Sequence, residues 1–204
     1  DSSTSRGLGD VYKRQMEIYA PIAHRLGMQK IKWELEDLSL LYLDPTGYKA
    51  ITDALDQRMP TLEKFMGEMR TQIRERLEAD GVHATISSRI KHIYSIYRKM
   101  YAQKLDINGI FDLCAFRVIV DTIPDCYNVL GIIHDMYKPL PGRFKDYIST
   151  PKPNMYQSVH TTVIGSEGIP FEVQIRTWEM HMTAEYGVAA VSYTHLTLPT
   201  TPYV

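Results

Sequence analysis

The spacing of the apolar residues changes abruptly at Asp80-Gly81, and this change constrains the fold more than any other feature. Before it, a long amphipathic segment opens at Pro60. Its apolar residues recur every three or four positions, at Leu62, Phe65, Met69, Ile73 and Leu77. After it, Val82, Ala84 and Ile86 alternate with other residues, as expected for a strand. The chain therefore combines a helical first part with a second part that contains a sheet.

The same patterns divide the rest of the chain. Apolar stripes predict helices from Met16 to about Met59, with Asp44-Pro45-Thr46-Gly47 as a turn before a short helix over residues 48–58. In the second part, strands are predicted over residues 113–120, 156–164 and 170–176, the last two as an antiparallel hairpin. Helices are predicted over residues 90–102, 125–137 and 177–190. We therefore expect an α+β fold, with a mixed sheet of about four or five strands flanked by helices.

Both ends of the chain differ in character from what lies between them. Residues 1–15 mix serine, glycine and charged residues without apolar periodicity. Residues 191–204 contain no Asp, Glu, Lys or Arg but four threonines and two prolines. We expect both segments to be disordered, non-native tails that flank a fragment of a longer protein.

The bulk composition is that of an ordinary globular protein with a local concentration of positive charge. Over 204 residues the formal net charge is −1, which argues against binding to DNA or RNA through a broadly basic surface. Residues 89–104 nevertheless hold five Lys or Arg and no Asp or Glu, a pattern that favours a compact anion as ligand. The two cysteines, Cys114 and Cys126, fit no metal or redox motif and indicate reduced core residues of a cytoplasmic protein. No apolar run is long enough to predict a membrane span.

Between residues 89 and 176, two basic clusters alternate with two apolar runs that each carry a carboxylate. Asp112 precedes the strand that contains Arg117, and Glu172 lies within the last predicted strand. Cationic side chains bind phosphates, and two carboxylates can hold a magnesium ion. A single site built from these parts would suit a reaction on nucleoside polyphosphates.

The helix predicted after Arg89 places Lys91, Ser95 and Lys99 on one face. This face is either a solvated basic surface or a clamp for phosphates. The absence of an acidic residue that would balance the cluster favours the clamp.

The last predicted strand places Glu172, Gln174 and Arg176 on one side, and His160 alternates in the same way on the preceding strand. A lone strand of this kind would present a solvated face, whereas several neighbouring polar faces indicate a cleft. Tyr156 follows a basic loop over residues 138–153, where its ring could stack on a nucleobase or pack in the core.

The pair His134-Asp135 resembles the HD pair of metal phosphohydrolases. Such sites need further His and Asp ligands, and none occurs at a suitable spacing in this sequence. We therefore interpret the pair as structural.

Six blocks, in order, closely resemble the synthetase domain of the RelA/SpoT homologue family, which makes the alarmones guanosine tetra- and pentaphosphate. The blocks are RIKHIYSIYRKM, IFDLCAFRVIV, PLPGRFKDYI, PKPNMYQSVHT, FEVQIRTWEMH and AEYGVAA. The resemblance covers about residues 16–190. It implies that residues 60–190 form the synthetase domain and that residues 16–59 form a helical connector from a hydrolase domain. It also implies a fold similar to nucleotidyltransferases of the polymerase-β type.

The resemblance implies transfer of pyrophosphate from ATP to the 3′-hydroxyl of GDP or GTP, with Mg²⁺ as cofactor. Arg89 and Arg117 would hold the adenine between them. The ATP phosphates would be held by Lys91, Ser95 and Lys99. Magnesium would be bound by Asp112 and Glu172, with Glu172 also able to act as the base and Gln174 beside it. The acceptor nucleotide would be contacted by Lys145, Lys152, Asn154, Tyr156, which stacks on guanine, and His160.

This chain departs from the pattern of the family at one position of the acceptor loop. Met155 stands where the family usually has glycine, which adopts more backbone conformations than methionine. The basic Arg143 and Lys145 resemble bifunctional members of the family, yet no hydrolase activity is expected from this chain. Ribosome contacts are expected only from regions that the chain lacks. The alternative functions are a catalytically silent module that binds guanine nucleotides and, less consistent with the net charge, an RNA- or ribosome-binding protein.

Overall fold

The computed structural model of the chain describes residues 9–104, 110 and 113–187. The first part is helical, as predicted. Helix α1 covers residues 9–14 and leads through a π-helical turn, Gln15–Tyr19, into α2, Ala20–Arg25. Three further helices follow, namely α3 (Gln29–Leu43), α4 (Pro45–Asp56) and α5 (Met59–Ala79).

The second part alternates strands and helices around one sheet. Its longer strands are β1 (Thr85–Ile90), β2 (Cys114–Val120), β5 (Val159–Ile164) and β6 (Pro170–Thr177). Two pairs of residues, Lys138–Pro139 and Lys145–Asp146, form the short strands β3 and β4. The helices are α6 (Ile93–Gln103), α7 (Ile123–Met136) and α8 (Trp178–Tyr186).

The sheet is mixed, with the order β1-β2-β6-β5-β3, and β4 also pairs with β5. Strands β2 and β6 are parallel, and the other neighbours are antiparallel. The predicted α+β class and the predicted hairpin of β5 and β6 are confirmed. The sheet has six strands because the loop after α7, predicted as irregular, adds two short ones.

The core lies on one face of the sheet. The residues of β6 that alternate with Glu172, Gln174 and Arg176 point into it. Phe171 is fully buried, and its ring contacts Phe116 of β2, Phe65 of α5 and Tyr137. Burial of aromatic rings in such edge-to-face contacts is among the largest stabilising contributions that single side chains make. Helices α5 and α7 therefore cover this face and leave the opposite face to polar residues.

Helix α8 lies on the opposite face, where it contacts β2, β6 and α3. Thr177 caps its first turn, because the threonine Oγ1 accepts a hydrogen bond from the Met180 amide. Because α8 begins directly after β6, it starts at the edge of the sheet and lies over the polar face.

One local prediction was wrong. Asp44-Pro45-Thr46-Gly47 is not a separate turn but the start of α4. The Asp44 carboxylate accepts a hydrogen bond from the Gly47 amide at 2.9 Å, and Pro45 occupies the first helical position. Aspartate and proline favour both turns and helix starts, so the sequence signal was ambiguous.

The first tail also differs in part from the expectation of disorder. Residues 9–14 are helical, and the rings of Tyr12 and Tyr42 stack with centroids 4.2 Å apart. Ser39 donates a hydrogen bond to Gln15 Oε1 at 3.1 Å. A search for apolar periodicity does not detect such contacts. Residues 1–8 and 191–204 lie outside the described part of the chain.

The division between connector and synthetase domain at residue 60 stays a prediction. Ile51 and Leu55 of α4 belong to the same buried cluster as the residues of α5 and the sheet. Apolar packing thus runs across the proposed boundary.

Candidate active site

A row of polar side chains crosses the open face of the sheet. The strand register aligns Ser87, Arg117, Gln174, His160 and Lys145 across five strands. A second row, two residues earlier along β6, aligns Arg89, Ala115, Glu172 and Thr162. Directly paired residues of neighbouring strands share a face, so the predicted site residues on these five strands meet on one surface.

A chain of hydrogen bonds runs through this surface and ends at Glu172. The Tyr156 hydroxyl lies 2.8 Å from His160 Nε2, and His160 Nδ1 lies 3.1 Å from Glu172 Oε1. Gln174 Nε2 donates to the same carboxylate oxygen at 2.6 Å. With a neutral imidazole, one tautomer satisfies every contact: Tyr156 donates to Nε2, and Nδ1 donates to Glu172. The arrangement holds the carboxylate in one orientation.

The charge of Glu172 follows from these contacts. Burial alone would raise the pKa of its carboxyl. The hydrogen bonds from His160 and Gln174 outweigh burial and lower this pKa to about 2, together with the charge of Lys91 and that of His160, which is protonated only at low pH. Burial lowers the pKa of His160, which favours the neutral ring. Glu172 is therefore an anion at neutral pH and able to hold a cation.

This shift has a consequence for stability. A carboxyl whose pKa is lower in the folded chain stabilises the fold above its unfolded pKa, and the contribution is lost as the pH falls towards the folded pKa. For Glu172, a fall from 4.5 to about 2 corresponds to roughly 3 kcal/mol.

We therefore expect the difference in unfolding free energy between the wild type and Glu172→Gln to shrink as the pH falls from about 4.5 to about 2. Urea denaturation at several pH values measures it. A difference that stays constant over this range would show that the carboxylate is not stabilised by its neighbours.

A cavity of about 150 Å³ adjoins this chain of hydrogen bonds and brings together most of the predicted site residues. Seven of them line it, namely Arg89, Arg117, Lys152, Asn154, Tyr156, His160 and Gln174. A second opening of about 200 Å³ lies between Arg89 and Arg117, over Ser87 and Ala115. Arg89, Arg117 and Gln174 line both openings, so the two arginines predicted for the adenine lie next to acceptor-side residues such as Tyr156 and His160.

The loop before β5 places the predicted acceptor residues together. Lys152 Nζ lies 4.3 Å from the ring centre of Tyr147 and 5.0 Å from that of Tyr156. Burial and the nearby charge of Lys145 lower the pKa of Lys152. Lys145 itself is exposed, beside His160 on the sheet. A cation beside an aromatic ring suits a ligand that carries both a base and phosphates.

Met155 has a backbone conformation that glycine adopts more readily than other residues. Met155 has a φ of 62°, in the left-handed region. The Met155 amide donates to the Lys152 carbonyl at 2.8 Å, and the Lys152 amide donates to the Tyr156 carbonyl at 3.1 Å. Glycine adopts this φ without the steric cost that a side chain brings. The tight turn that presents Tyr156 therefore persists despite Met155.

The first helices close one side of the cavity, which the sequence did not reveal. Trp33 of α3 stacks on Arg89, with the guanidinium carbon 4.3 Å from the ring centre. His24 accepts a hydrogen bond through its carbonyl from Asn154 Nδ2 at 3.1 Å. Gly27, at a φ of +77°, allows a close approach here, since a Cβ on it would lie 3.1 Å from Gly187 Cα.

The predicted phosphate helix α6 packs against α3 and α4 and is held by two acidic residues, one in α3 and one at the junction of α3 and α4. Asp37 accepts a hydrogen bond from the Tyr94 amide at 2.8 Å, and Asp44 accepts one from the Tyr97 hydroxyl at 2.9 Å. Ser95 Oγ lies 2.9 Å from His92 Nε2. Lys91, Ser95 and Lys99 are not among the residues that line the cavity of about 150 Å³, although Lys91 is near enough for its charge to lower the pKa of Glu172.

Asp112, the second predicted metal ligand, lies outside the described residues. Within the described ranges, no group of three or more His, Cys, Asp and Glu side chains could hold a metal ion. Both hydrogen bonds that described side chains donate to Glu172 fall on Oε1. Its other oxygen is therefore the better candidate for a cation.

Three residues of this region, Arg176, Glu185 and Trp33, were not among the predicted site residues. Arg176 is almost fully buried and shares Glu185 with Arg117. The alternation of residues in β6 places Arg176 on the same face as Gln174, and Glu185 lies in the block AEYGVAA. The sequence therefore carried a signal for both residues. The sequence carried no such signal for Trp33, because its spacing assigns it to the apolar face of a helix.

The His134-Asp135 pair is structural, as predicted. His134 Nε2 lies 2.8 Å from Thr161 Oγ1, and Asp135 forms an ion pair with Arg76 at 2.9 Å. The two cysteines are buried thiols. In the part of the chain that the structure describes, no helix has the length and apolar character needed to cross a membrane.

Comparison with known sequences identifies relatives along most of the chain. The model of a family described as "Region found in RelA / SpoT proteins" matches residues 88–195. The GTP pyrophosphokinase of Streptomyces coelicolor is 50% identical over 178 residues, which are 87% of this chain and 21% of that protein. The bifunctional (p)ppGpp synthase/hydrolase RelA of Mycobacterium tuberculosis is 47% identical over 178 residues, 87% of this chain and 24% of that protein. The chain thus spans about a fifth to a quarter of the length of these relatives.

Comparison with solved structures supports the fold. The small alarmone synthetase 1 of Bacillus subtilis, bound to its product pppGpp, matches with a TM-score of 0.53 and 20% identity, covering 72% of this chain and 84% of that one. A GTP pyrophosphokinase family protein of Streptococcus pneumoniae matches with a TM-score of 0.51 and 23% identity, covering 71% and 75%. At this identity the likeness concerns the arrangement of sheet and helices. The family match covers more than half of the chain, and the protein therefore belongs to the RelA/SpoT family.

Proposed function

We propose that this domain transfers pyrophosphate from ATP to the 3′-hydroxyl of GDP or GTP and so makes guanosine tetra- or pentaphosphate. The observation that carries the proposal is the anionic Glu172, held by His160 and Gln174 beside a cavity lined by arginines and Tyr156. Relatives named GTP pyrophosphokinase, at 47–50% identity, support the same reaction.

The acceptor side of the cavity would bind the guanine nucleotide. Tyr156 offers a ring for the base, and Lys152 and Lys145 offer charge for its phosphates. His160 contacts the Tyr156 hydroxyl through one ring nitrogen and the Glu172 carboxylate through the other. The ring on which guanine would stack is therefore linked to the carboxylate. A carboxylate near the acceptor hydroxyl can accept its proton during attack on phosphorus.

The donor side would bind ATP. Arg89 and Arg117 line the opening of about 200 Å³ between them, which suits a flat base. Lys91, Ser95 and Lys99 of the neighbouring segment would hold the phosphates. Phosphoryl-type transfer depends mainly on positioning and on neutralisation of charge, and the residues of this cleft supply both.

Magnesium would be held by Glu172 together with Asp112. Two carboxylates are enough protein ligands for Mg²⁺, because the ion keeps several waters and commonly binds substrate phosphates as well. When bound, the ion would neutralise charge on the transferred group. Proton acceptance by Glu172 and metal binding by its Oε2 are compatible roles.

We place the activity in the cytoplasm, consistent with two buried thiols. We expect no hydrolysis of the product by this chain, because His134 and Asp135 are engaged in structural contacts. Ribosome contacts, if the full-length protein makes them, would involve other regions.

The direct experiment is incubation of the purified chain with ATP, Mg²⁺ and GDP, followed by anion-exchange chromatography. The expected product is guanosine tetraphosphate. As a matched control, 3′-deoxy-GDP lacks the acceptor hydroxyl and should give none. Tight binding of GDP without any product would support a silent guanine-nucleotide module instead.

Tyr156 allows the acceptor assignment to be tested by binding alone. We expect Tyr156→Ala to weaken GDP binding by roughly 1–3 kcal/mol, the usual contribution of base–aromatic stacking, with little change for ATP. Tyr156→Phe keeps the ring but loses the hydroxyl that contacts His160, so it should retain most of the affinity. Isothermal titration calorimetry measures both. Equal losses for GDP and ATP, or a Phe variant as weak as the Ala variant, would contradict a stacking role.

A further inference from the structure

Glu185 of α8 occupies a central position between two arginines of the sheet. Its Oε1 lies 2.9 Å from Arg117 Nη2 and 3.2 Å from Arg176 Nη2. Glu185 and Arg117 are largely buried, and Arg176 is almost fully buried. His181, one turn earlier on α8, lies 2.9 Å from Arg176 Nη2 through its Nδ1. One helix thus fixes the outer ends of both guanidinium groups.

The geometry of a guanidinium makes this contact informative. Its N–H groups lie in the plane of the group, so a carboxylate that binds them leaves both flat faces open. Arg117 lines the opening that it shares with Arg89. A contact through Nη2 can therefore hold Arg117 in a fixed orientation without blocking the face that a flat ligand would cover.

The surrounding charge explains why Arg117 needs such a partner. Arg89, Arg117 and Arg176 all line the same small cavity and repel one another. Within the described residues, the Nε atoms of Arg117 and Arg176 are buried without a hydrogen-bond partner. A buried cation that loses its anionic partner tends to reorient towards water. Glu185 is the carboxylate that counters both Arg117 and Arg176 here.

We propose that Glu185, supported by Arg176, is a positioning residue that orients Arg117 for stacking on the adenine of ATP. The inference rests on the proposed function, since it assigns Arg117 to the donor nucleotide. Glu185 touches the arginine and not the reacting atoms, so its effect falls on ATP binding rather than on the transfer step.

Three variants test this proposal. Glu185→Gln removes the charge, and Glu185→Asp keeps it on a shorter side chain. Glu179→Gln, at an exposed position of the same helix, is the matched control. Steady-state kinetics give KM for ATP and for GDP separately, and calorimetry gives ATP affinity without turnover. Thermal melts report on folding.

We expect Glu185→Gln to raise KM and Kd for ATP about 10- to 100-fold, the usual consequence of losing a hydrogen bond between charged groups. KM for GDP and kcat at saturating ATP should stay within about twofold of the wild type, and Glu185→Asp should recover part of the loss. Glu179→Gln should behave like the wild type.

A further readout separates adenine binding from charge. Inorganic tripolyphosphate carries the phosphates without the base, so its inhibition constant should hardly change in Glu185→Gln. Unchanged ATP affinity, or equal losses for ATP, GDP and tripolyphosphate, would overturn the proposal. A wild-type protein that binds ATP but forms no product would refute the proposed function, while the calorimetric comparison would still test Glu185.

Discussion

Glu172→Gln is expected to lower the rate of pyrophosphate transfer by at least about 100-fold, in the range that loss of an acid–base group typically causes. The amide has nearly the same shape as the carboxylate, but it can neither accept the proton of the acceptor hydroxyl nor neutralise a magnesium ion. The hydrogen bonds from His160 and Gln174 show how firmly the native carboxylate is held.

The rate is measured as product formed per enzyme at saturating ATP and GDP, with folding checked by circular dichroism. Glu68→Gln, on an exposed part of α5, is the control and should retain full activity. Asp112→Asn should cause a similar loss, because the resemblance assigns Asp112 to the same metal. Near-normal turnover of a folded Glu172→Gln variant would remove Glu172 from the mechanism.

Phe171→Ala is expected to reduce the free energy of unfolding by about 3–5 kcal/mol, as for other large-to-small changes in a core. Phe171 precedes Glu172 on β6 but points to the other face. There it packs against Phe65, Phe116 and Tyr137. The variant removes contacts with both α5 and β2, so the surrounding structure cannot easily fill the space.

Urea denaturation followed by circular dichroism measures this loss. Phe144→Ala is the matched control, since Phe144 is 49% exposed and its removal should change stability by less than about 0.5 kcal/mol. A loss below about 1 kcal/mol for Phe171→Ala would mean that the sheet does not depend on this cluster.

The alternation of residues in β6 is the clearest case in which local sequence predicted the site. A period of two assigned Glu172 and Gln174 to one face, and the structure places both there with His160 of β5 beside them. The turn between the two strands signalled the hairpin, so their antiparallel pairing followed. These features depend on neighbours along the chain.

Contacts between distant segments could not be predicted in the same way. Trp33 meets Arg89, and Glu185 meets Arg117, because α3 and α8 fold over the sheet from opposite ends of the chain. The parallel pairing of β2 with β6 likewise joins strands separated by about 50 residues. Such pairings depend on tertiary packing, for which a single sequence carries little local signal.

Short polar segments were the other source of error. Asp44-Pro45 favours a turn and a helix start equally well, and the capping of α4 decided between them. In the first tail, an aromatic contact between Tyr12 and Tyr42 accompanies helix at residues 9–14, which charged and small residues did not indicate.

We propose that this cleft transfers pyrophosphate rather than a single phosphate or none. The nucleotide balance of the reaction of the wild-type chain with ATP and GDP, determined by mass spectrometry, distinguishes these outcomes. We expect one AMP for each guanosine tetraphosphate formed, with both transferred phosphorus atoms derived from ATP. Formation of ADP in place of AMP, or recovery of unchanged ATP and GDP from a folded protein that binds both, would contradict it.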